Sequence, residues 1–287
     1  MPPKSKLGQN FLRDQQAIRR IVVALGGCSD RTVVEIGPGM GAITRELAAK
    51  AGKVLALEYD RDLASRLMGE LSGSETKDGS ASATSNVEIK TVDVLSFDFG
   101  AAASSANQRL IVAGNLPYYI TSPILLKLAE NAAVLDRAVL MVQREVADRV
   151  AAAPGSRDYG LLSVAVQMHG PVERLFTLPP SAFSPPPEVH STVFRWRFAP
   201  RFNELHVDRD AFLRFLRQIF AAKRKTLSNN LRAAGVDPLV AENALSQAGI
   251  DSKARAEAVP VETIAALWRI LETAGATTTN EVAPLTD

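Results

Sequence analysis

The chain is poor in the groups that most enzymes use for covalent or metal chemistry. Its 287 residues hold one cysteine, Cys28, and three histidines, His169, His190 and His206. A single thiol can close no intrachain disulfide and offers no paired thiolates to a metal. Beside Gly27 and after the apolar run IVVAL, Cys28 reads as a buried structural group. The histidines form no ligand-spaced cluster, so each reads as a surface or packing residue and no metal is expected. Neither a Walker-type phosphate loop nor a nucleophile-elbow serine occurs. No apolar run is long enough to span a bilayer, and the opening MPPKSKLGQNFL lacks the hydrophobic stretch of a secretory signal. The expectation is a soluble, cytoplasmic, monomeric protein with no membrane partner.

What is present is unevenly charged. The formal net charge is only +2, yet the basic residues cluster. Residues 1–20 carry Lys4, Lys6, Arg13, Arg19 and Arg20 against Asp14 alone. Residues 205–232 carry Arg209, Arg214, Arg217, Lys223, Arg224, Lys225 and Arg232 against Asp208 and Asp210. Local clusters on a nearly neutral chain point to an anionic partner touched at defined places, although a solvated helix face explains any one of them.

The length allows one large domain and one smaller. From residue 32 the pattern alternates. Apolar runs at 32–36, 54–58, 87–91, 110–114 and 138–142 read as strands, and periodic segments at 42–51, 60–71, 122–131 and 143–152 read as helices. That alternation predicts an α/β unit with a mostly parallel sheet covered on both faces. PVERLFTL and STVFRWRF are extended runs suited to antiparallel pairing at its edge. The polar stretches 72–86 and 100–108 read as loops, the first of them mobile. After about residue 200 the pattern is helical to about 273. The predicted organisation is a domain over 1–200 with a basic arm at 1–20, a helical domain over 201–274, and a disordered tail at 275–287.

The site reads from the strand ends. VVEIGPGMGAIT is a strand, a glycine-rich turn and a helix start, in which Gly37, Gly39 and Gly41 permit tight turning and close approach of a ligand to the backbone. The spacing G-x-G-x-G differs from the G-x-G-x-x-G of a dinucleotide site. Glu58 ends the second strand, where a carboxylate can accept hydrogen bonds from ribose hydroxyls. Asp93 ends the third, where it can accept a bond from an adenine amino group or simply cap a turn. Together these suit an adenosine-containing cofactor, either NAD or S-adenosylmethionine. The segment GNLPYYITSPI (114–124) discriminates between them. Methylating an exocyclic amino group requires that its delocalised lone pair be held toward the donor methyl. The Asn115 side-chain oxygen and the Leu116 carbonyl can each accept one N–H. Pro117 stiffens the backbone so that these acceptors converge, and Tyr118 can stack on a flipped base. This is chemistry by positioning. TSP, by contrast, is explained by a helix start alone.

KLGQNFL (6–12), EIGPGMGAIT, ALEYD, VDVLSFDF, GNLPYYITSPI and FSPPPEVHSTV (183–193) follow in order the pattern of the ribosomal RNA adenine N6-dimethyltransferases. The resemblance spans roughly residues 4–270 and is greatest to the bacterial enzymes that dimethylate two adjacent adenosines near the 3′ end of 16S rRNA. It implies a Rossmann-like catalytic domain, a small all-helical C-terminal domain, and S-adenosylmethionine as methyl donor. By motif it also implies that Asn10 and Leu12 close over the cofactor and that Gly37 and Gly39 lie against it. Glu58 would then bind its ribose and Asp93 its adenine. Asn115, Leu116, Pro117 and Tyr118 would hold the target base, with Phe183 stacking on its other face. Two features depart from the pattern: the stretches 72–86 and 100–108 look long, and Tyr119 stands where some relatives carry Asn.

The RNA implied by this resemblance needs a phosphate-binding surface. Arg214, Arg217 and Arg224 are spaced to share one helical face opposite Phe212, Phe215 and Ile219, and with Lys223 and Lys225 they form the predicted ridge. The partner implied is 16S rRNA within the small (30S) subunit. A resistance-type 23S rRNA methyltransferase shares the catalytic motifs, but the wording GNLPY, the prolines at 185–187 and the long helical C-terminal region favour the small-subunit enzyme. An assembly factor for which methylation is secondary is a further alternative. The intact Glu58, Asp93 and Asn115 argue against it. A dehydrogenase ranks last, because nothing supplies a hydride-transfer site.

Overall fold

The computed structural model of the chain describes residues 10–72 and 84–276. It divides into two compact units, Met1–Ala147 with Pro171–Phe198, and Asp148–Gly170 with Ala199–Asp287.

The first unit holds β1 (Phe11–Leu12), α1 (Gln15–Ala24), β2 (Thr32–Ile36), α2 (Ala42–Ala48), β3 (Lys53–Glu58), α3 (Arg61–Ser72), β4 (Val87–Thr91), α4 (Phe99–Ala106), β5 (Leu110–Asn115), α5 (Thr121–Glu130), β6 (Leu135–Gln143), the start of α6 (Arg144–Val150), β7 (Val172–Leu178), β8 (Phe183–Ser184) and β9 (Ser191–Arg197). The apolar runs 32–36 and 110–114 are buried throughout, as strands covered on both faces must be. Among the described residues the sheet has seven strands in the order β4-β3-β2-β5-β6-β9-β7. Its first five are parallel, and β9 and β7 pair antiparallel at the edge as their sequences predict. From β2 the chain proceeds outward to β3 and β4, then returns to place β5 on the other flank of β2. The crevice between the carboxyl ends of β2 and β5 is therefore the topological switch point, where open α/β sheets bind ligands. Strand contact there is close: a Cβ on Gly114 would lie 2.6 Å from the Ile36 carbonyl oxygen.

Two elements lie outside this sheet. β1 pairs antiparallel with β8, with Phe11 opposite Ser184 and Leu12 opposite Phe183. α1 follows at once, its first turn capped by the Asp14 carboxylate, which accepts from the Ala17 N–H. Ala17, Ile18, Ile21 and Val22 form its buried face.

The second unit contains α7 (Leu161–Gln167), α8 (Arg209–Ile219), α9 (Leu227–Ala233), α10 (Pro238–Gln247) and α11 (Val261–Thr273). Asp208, Thr226 and Asp237 cap α8, α9 and α10 through their side chains. Phe212, Phe215, Leu216, Leu231 and Trp268 centre its core. Residues 148–170 group here rather than with the sheet, because Tyr159, Val164 and Met168 pack into that core. A linear division near residue 200 does not capture this.

Segment 100–108 is not a loop. The Asp98 side chain accepts from the Ala101 N–H at 2.8 Å, Phe99 is fully buried against Phe97, and Asn107 closes the helix in a left-handed conformation. Its small and polar residues suggest a loop, yet alanine is the best helix former, and here the helix is capped and anchored. Of the polar stretch 72–86, residues 73–83 lie outside the described residues; Thr84 and Asn86 are tied to Leu71, Ala48 and Ala51 carbonyls. Residues 1–9, with Lys4 and Lys6, and 277–287 of the predicted tail also lie outside them. Among the described residues, no helix is long and apolar enough to cross a membrane.

Candidate active site

Two adjoining cavities open at the switch point. One, of about 270 Å³, is lined by Asn10, Phe11, Leu12, Glu35, Gly37 to Met40, Ala42, Ile43, Glu58 and Asn115 to Tyr119. The other, of about 290 Å³, is lined by Leu57, Glu58, Tyr59, Asp93, Val94, Leu95, Ile120 and Ile124 among others. Gly37, Glu58, Pro117 and Tyr119 belong to both. Gly37, Gly39, Glu58, Asp93 and Asn115 to Tyr118 are thus brought to one place, as their positions at strand ends predict, and Asn10 and Leu12, expected there from the resemblance alone, join them.

The turn after β2 is shaped by backbone that L side chains rarely adopt: φ is 66° at Gly37 and 54° at Gly39. A Cβ on Gly39 would come within 2.9 Å of the Phe11 ring, so glycine there is also a packing requirement. The Glu58 carboxylate organises this turn. One oxygen accepts from the Gly39 N–H and the other from the Asp60 N–H, both at 3.0 Å. Each oxygen keeps a second lone pair. Asp93 caps the short turn 94–96 by accepting from the Leu95 N–H, and it also lines the second cavity.

Asn115 ends β5. Its Nδ2 donates to the Asn10 carbonyl at 3.0 Å. A carbonyl facing the amide must meet its NH₂ group, which fixes the orientation of the side chain. Oδ1 is buried and has no partner. Leu116 is anchored by its N–H to the Met141 carbonyl and is 1% exposed. Pro117 turns the chain, and its carbonyl accepts from Ile120 N–H and the Thr121 hydroxyl. Tyr118 is half-buried, and its hydroxyl is 2.7 Å from Ser191 Oγ.

Glu35 also faces the first cavity and was not singled out in the sequence. Lying in a strand buried on both faces, it is 1% exposed, and Oε2 lacks a partner. Burial pushes its carboxyl up to about 7, against the opposing pull of the Thr44 hydroxyl, with the Glu58 charge adding to the rise. Phe11 and Ser191 were missed as well. The partner of Ser191 lies 73 residues away in sequence, so no local pattern announces it.

Some expected roles meet a different geometry. Phe183 is 4% exposed, in the core with Leu12 and Ala182 and paired with Leu12 across β1 and β8. It lines neither cavity, so the ring expected to stack on the target base is turned inward. In the second unit, Arg214 and Arg217 lie half-buried on α8, whereas Lys223, Arg224 and Lys225 are exposed in the turn after it. Because α8 ends at Ile219, Arg224 does not share a helical face with the other two. His169 is buried, with Nδ1 on the Ala165 carbonyl; His190 and His206 are exposed and line neither cavity. Among the described residues no cluster of His, Cys, Asp or Glu could hold a metal ion.

The donor and acceptor balance tests which cofactor fits. Glu35, Glu58 and Asp93 line the cavities, and among the described residues no lysine, arginine or histidine does. Such a lining suits a cationic adenosine derivative and opposes a dinucleotide, whose pyrophosphate brings negative charge.

Comparison with known proteins agrees with this chemistry. The family model of ribosomal RNA adenine dimethylase matches residues 3–273. The ribosomal RNA small subunit methyltransferase A of Acidobacterium capsulatum is 55% identical over 269 residues, 94% of this chain and 91% of that protein. Its counterpart in Koribacter versatilis is 48% identical over 279 residues, 93% and 94% of the two chains. Among solved structures, a dimethyladenosine transferase from Plasmodium falciparum shares the fold, with a TM-score of 0.77 at 22% identity over 93% of this chain and 98% of that one. The 23S rRNA methyltransferase ErmE aligns with a TM-score of 0.68 at 27% identity, over 92% and 100%.

Two outcomes are expected of this geometry. With its folded pKa raised from 4.5 to about 7, Glu35 lowers stability as pH rises past 4.5, and the penalty is complete above 7. It amounts to roughly 3 kcal/mol. Glu35→Gln should therefore melt above the parent at pH 8 and level with it near pH 4.5; a constant difference across that range excludes the assignment. The Tyr118–Ser191 contact should appear in kinetics. Ser191→Ala and Tyr118→Phe should each lower kcat about three- to tenfold, and the double variant no further. Additive losses would mean that the two residues act separately.

Proposed function

The chain belongs to the ribosomal RNA adenine dimethylases, and from that premise we propose that it dimethylates N6 of two adjacent adenosines near the 3′ end of 16S rRNA, with S-adenosylmethionine as donor. The observation that carries the reading is the buried, unpartnered Oδ1 of Asn115, a residue that lines the first cavity and whose amide nitrogen is held by the Asn10 carbonyl. An unsatisfied buried acceptor is costly, roughly 1–3 kcal/mol, and an amino group entering the site relieves it.

S-adenosylmethionine supplies an electrophilic methyl group on a sulfonium sulfur. The residues present fit it, by the acidic lining and the glycine turn described above. Gly37 and Gly39 would lie beside its methionine part, Glu58 would accept from the ribose hydroxyls, and Asp93 from the adenine amino group. Asn10 and Leu12 would close over it.

Toward the RNA, Asn115 Oδ1 and the Leu116 carbonyl would each accept one N–H of the target adenine, and the half-buried Tyr118 ring would lie against its face. Held through its N–H groups, two before the first transfer and one before the second, the nitrogen would turn its lone pair out of conjugation toward the methyl group. That nitrogen would take the methyl group supplied by S-adenosylmethionine and would release a proton to solvent. Aligning the two groups supplies most of the advantage. Phe183, being buried, contributes by holding the Asn10–Leu12 segment rather than by stacking. The turn bearing Lys223, Arg224 and Lys225, with Arg214 and Arg217 nearby in sequence, would bind phosphates of the small (30S) subunit's RNA. We place the protein with that RNA in the cytoplasm. Identity of 55% to a small-subunit enzyme, against 27% to a 23S enzyme, favours the small-subunit target.

Incubation with methyl-labelled S-adenosylmethionine and unmethylated small subunits, with 23S rRNA in parallel, tests this. Label is expected as dimethyladenosine near the 16S 3′ end; label confined to 23S rRNA would overturn the substrate. Asn115→Ala should reduce transfer by about a hundredfold or more while RNA binding persists. Equal loss of both would remove the assigned role. Charge reversal at Arg224 and Lys225 should weaken subunit binding and flatten its dependence on salt by about one unit of log–log slope per lost phosphate contact. An unchanged slope would make the turn a solvated surface.

A further inference from the structure

The chain has four tyrosines, and three of them, Tyr59, Tyr118 and Tyr119, line the two cavities. Tyr118 is occupied with Ser191. The other two are 63% and 59% exposed, among the few large apolar surfaces the described residues leave open. Both border the second cavity, which is also lined by the apolar Leu57, Val94, Leu95 and Ile124 and by the carboxylates of Glu58 and Asp93.

The backbone explains why consecutive tyrosines serve different places. Residues 118–120 form one 3₁₀ turn, in which neighbours are rotated by about 120°. With Tyr118 directed to Ser191, Tyr119 points elsewhere. Tyr59, Glu58 and Asp93 line the second cavity with it, and burial, with those groups adding to it, pushes its phenol above the ordinary value. They belong to the carboxyl ends of β3 and β4, on the side of the second cavity.

We propose that Tyr119 is a cofactor-contacting residue whose ring caps the adenine of S-adenosylmethionine in the cavity at Asp93, with Tyr59 beside it. The inference rests on reading these cavities as the cofactor site. A flat purine between an apolar floor and an exposed phenol ring gains stacking that an asparagine at position 119 does not provide. The two halves of the Tyr-Tyr pair are thereby divided, Tyr118 toward the RNA base and Tyr119 toward the cofactor.

Calorimetric titration of S-adenosylhomocysteine into the full-length protein, without RNA, tests this alongside the KM for small-subunit RNA. Tyr119→Ala should weaken binding about tenfold, and Tyr119→Phe, which keeps the ring, by no more than about twofold. Binding by the parent should also perturb tyrosine fluorescence, and Tyr119→Ala should diminish that signal. An unchanged Kd in Tyr119→Ala with a raised KM for RNA would overturn the proposal and assign the ring to the nucleic acid. Equal losses in the Phe and Ala variants would overturn stacking in favour of a phenol hydrogen bond. Failure of the parent protein to bind S-adenosylhomocysteine would overturn the cofactor reading itself, an outcome distinct from either.

Discussion

The hydrogen bond from Asn115 Nδ2 to the Asn10 carbonyl is the constraint on which the rest of the site depends. It spends the donor half of the amide on the protein and leaves the acceptor half, Oδ1, without a protein partner. The bond exists only because Asn10 is held in place, and that is the work of a two-residue strand. β1 pairs with β8, and the N–H groups of Arg13 and Asp14 extend the contact to the Ala182 carbonyl. Segments about 170 residues apart in sequence thus combine to orient one side chain. The segments Asn10–Leu12 and Phe183–Ser184 act as halves of one clamp, which explains why Phe183 is buried: its ring anchors the clamp in the core.

The electrostatics follow the same logic of leaving one kind of group unmatched. Asn115 Oδ1 and Glu35 Oε2 are both buried oxygens without partners, and both belong to residues lining the first cavity. A protein interior strengthens any attraction it is offered and penalises a group left alone. A cavity lined with acceptors and carboxylates therefore favours a cationic ligand rich in N–H donors. Glu35 lies close to its own switching point at neutral pH, so a cation nearby stabilises its charged form.

How much of this was legible in the sequence depended on how local each cause is. The strand ends, the glycine turn, Glu58 and Asn-Leu-Pro-Tyr were readable because each is positioned by its own strand. So was the antiparallel edge formed by PVERLFTL and STVFRWRF. Ser191, Phe11 and Glu35 were not, because their significance lies in a partner or a burial that only the assembled sheet provides. Alanine-rich 99–106 was misread for want of weighing the Asp98 cap and the Phe99 anchor together. The break after Ile219 removed Arg224 from the helical face on which spacing had placed it, since a face argument presumes a continuous helix. Residues 148–170 escaped a linear division because Tyr159 and Met168 find their core more than thirty residues downstream.

Why an amide, a proline and an aromatic ring should stand together then has a physical answer. At the carboxyl end of a buried strand the chain must leave the sheet without fraying, and Leu116 fixes it there through Met141. Pro117 directs the exit, and the following 3₁₀ turn fans successive side chains apart. Each of the four residues faces a different neighbour: Asn10, the core, the α5 entry, Ser191. A longer or looser connection could carry the same groups without holding them to one geometry. The proposed methyl transfer by positioning would depend on that geometry, since a nitrogen whose lone pair is delocalised gains reactivity when its N–H groups are held. The compactness of the motif is therefore a chemical requirement.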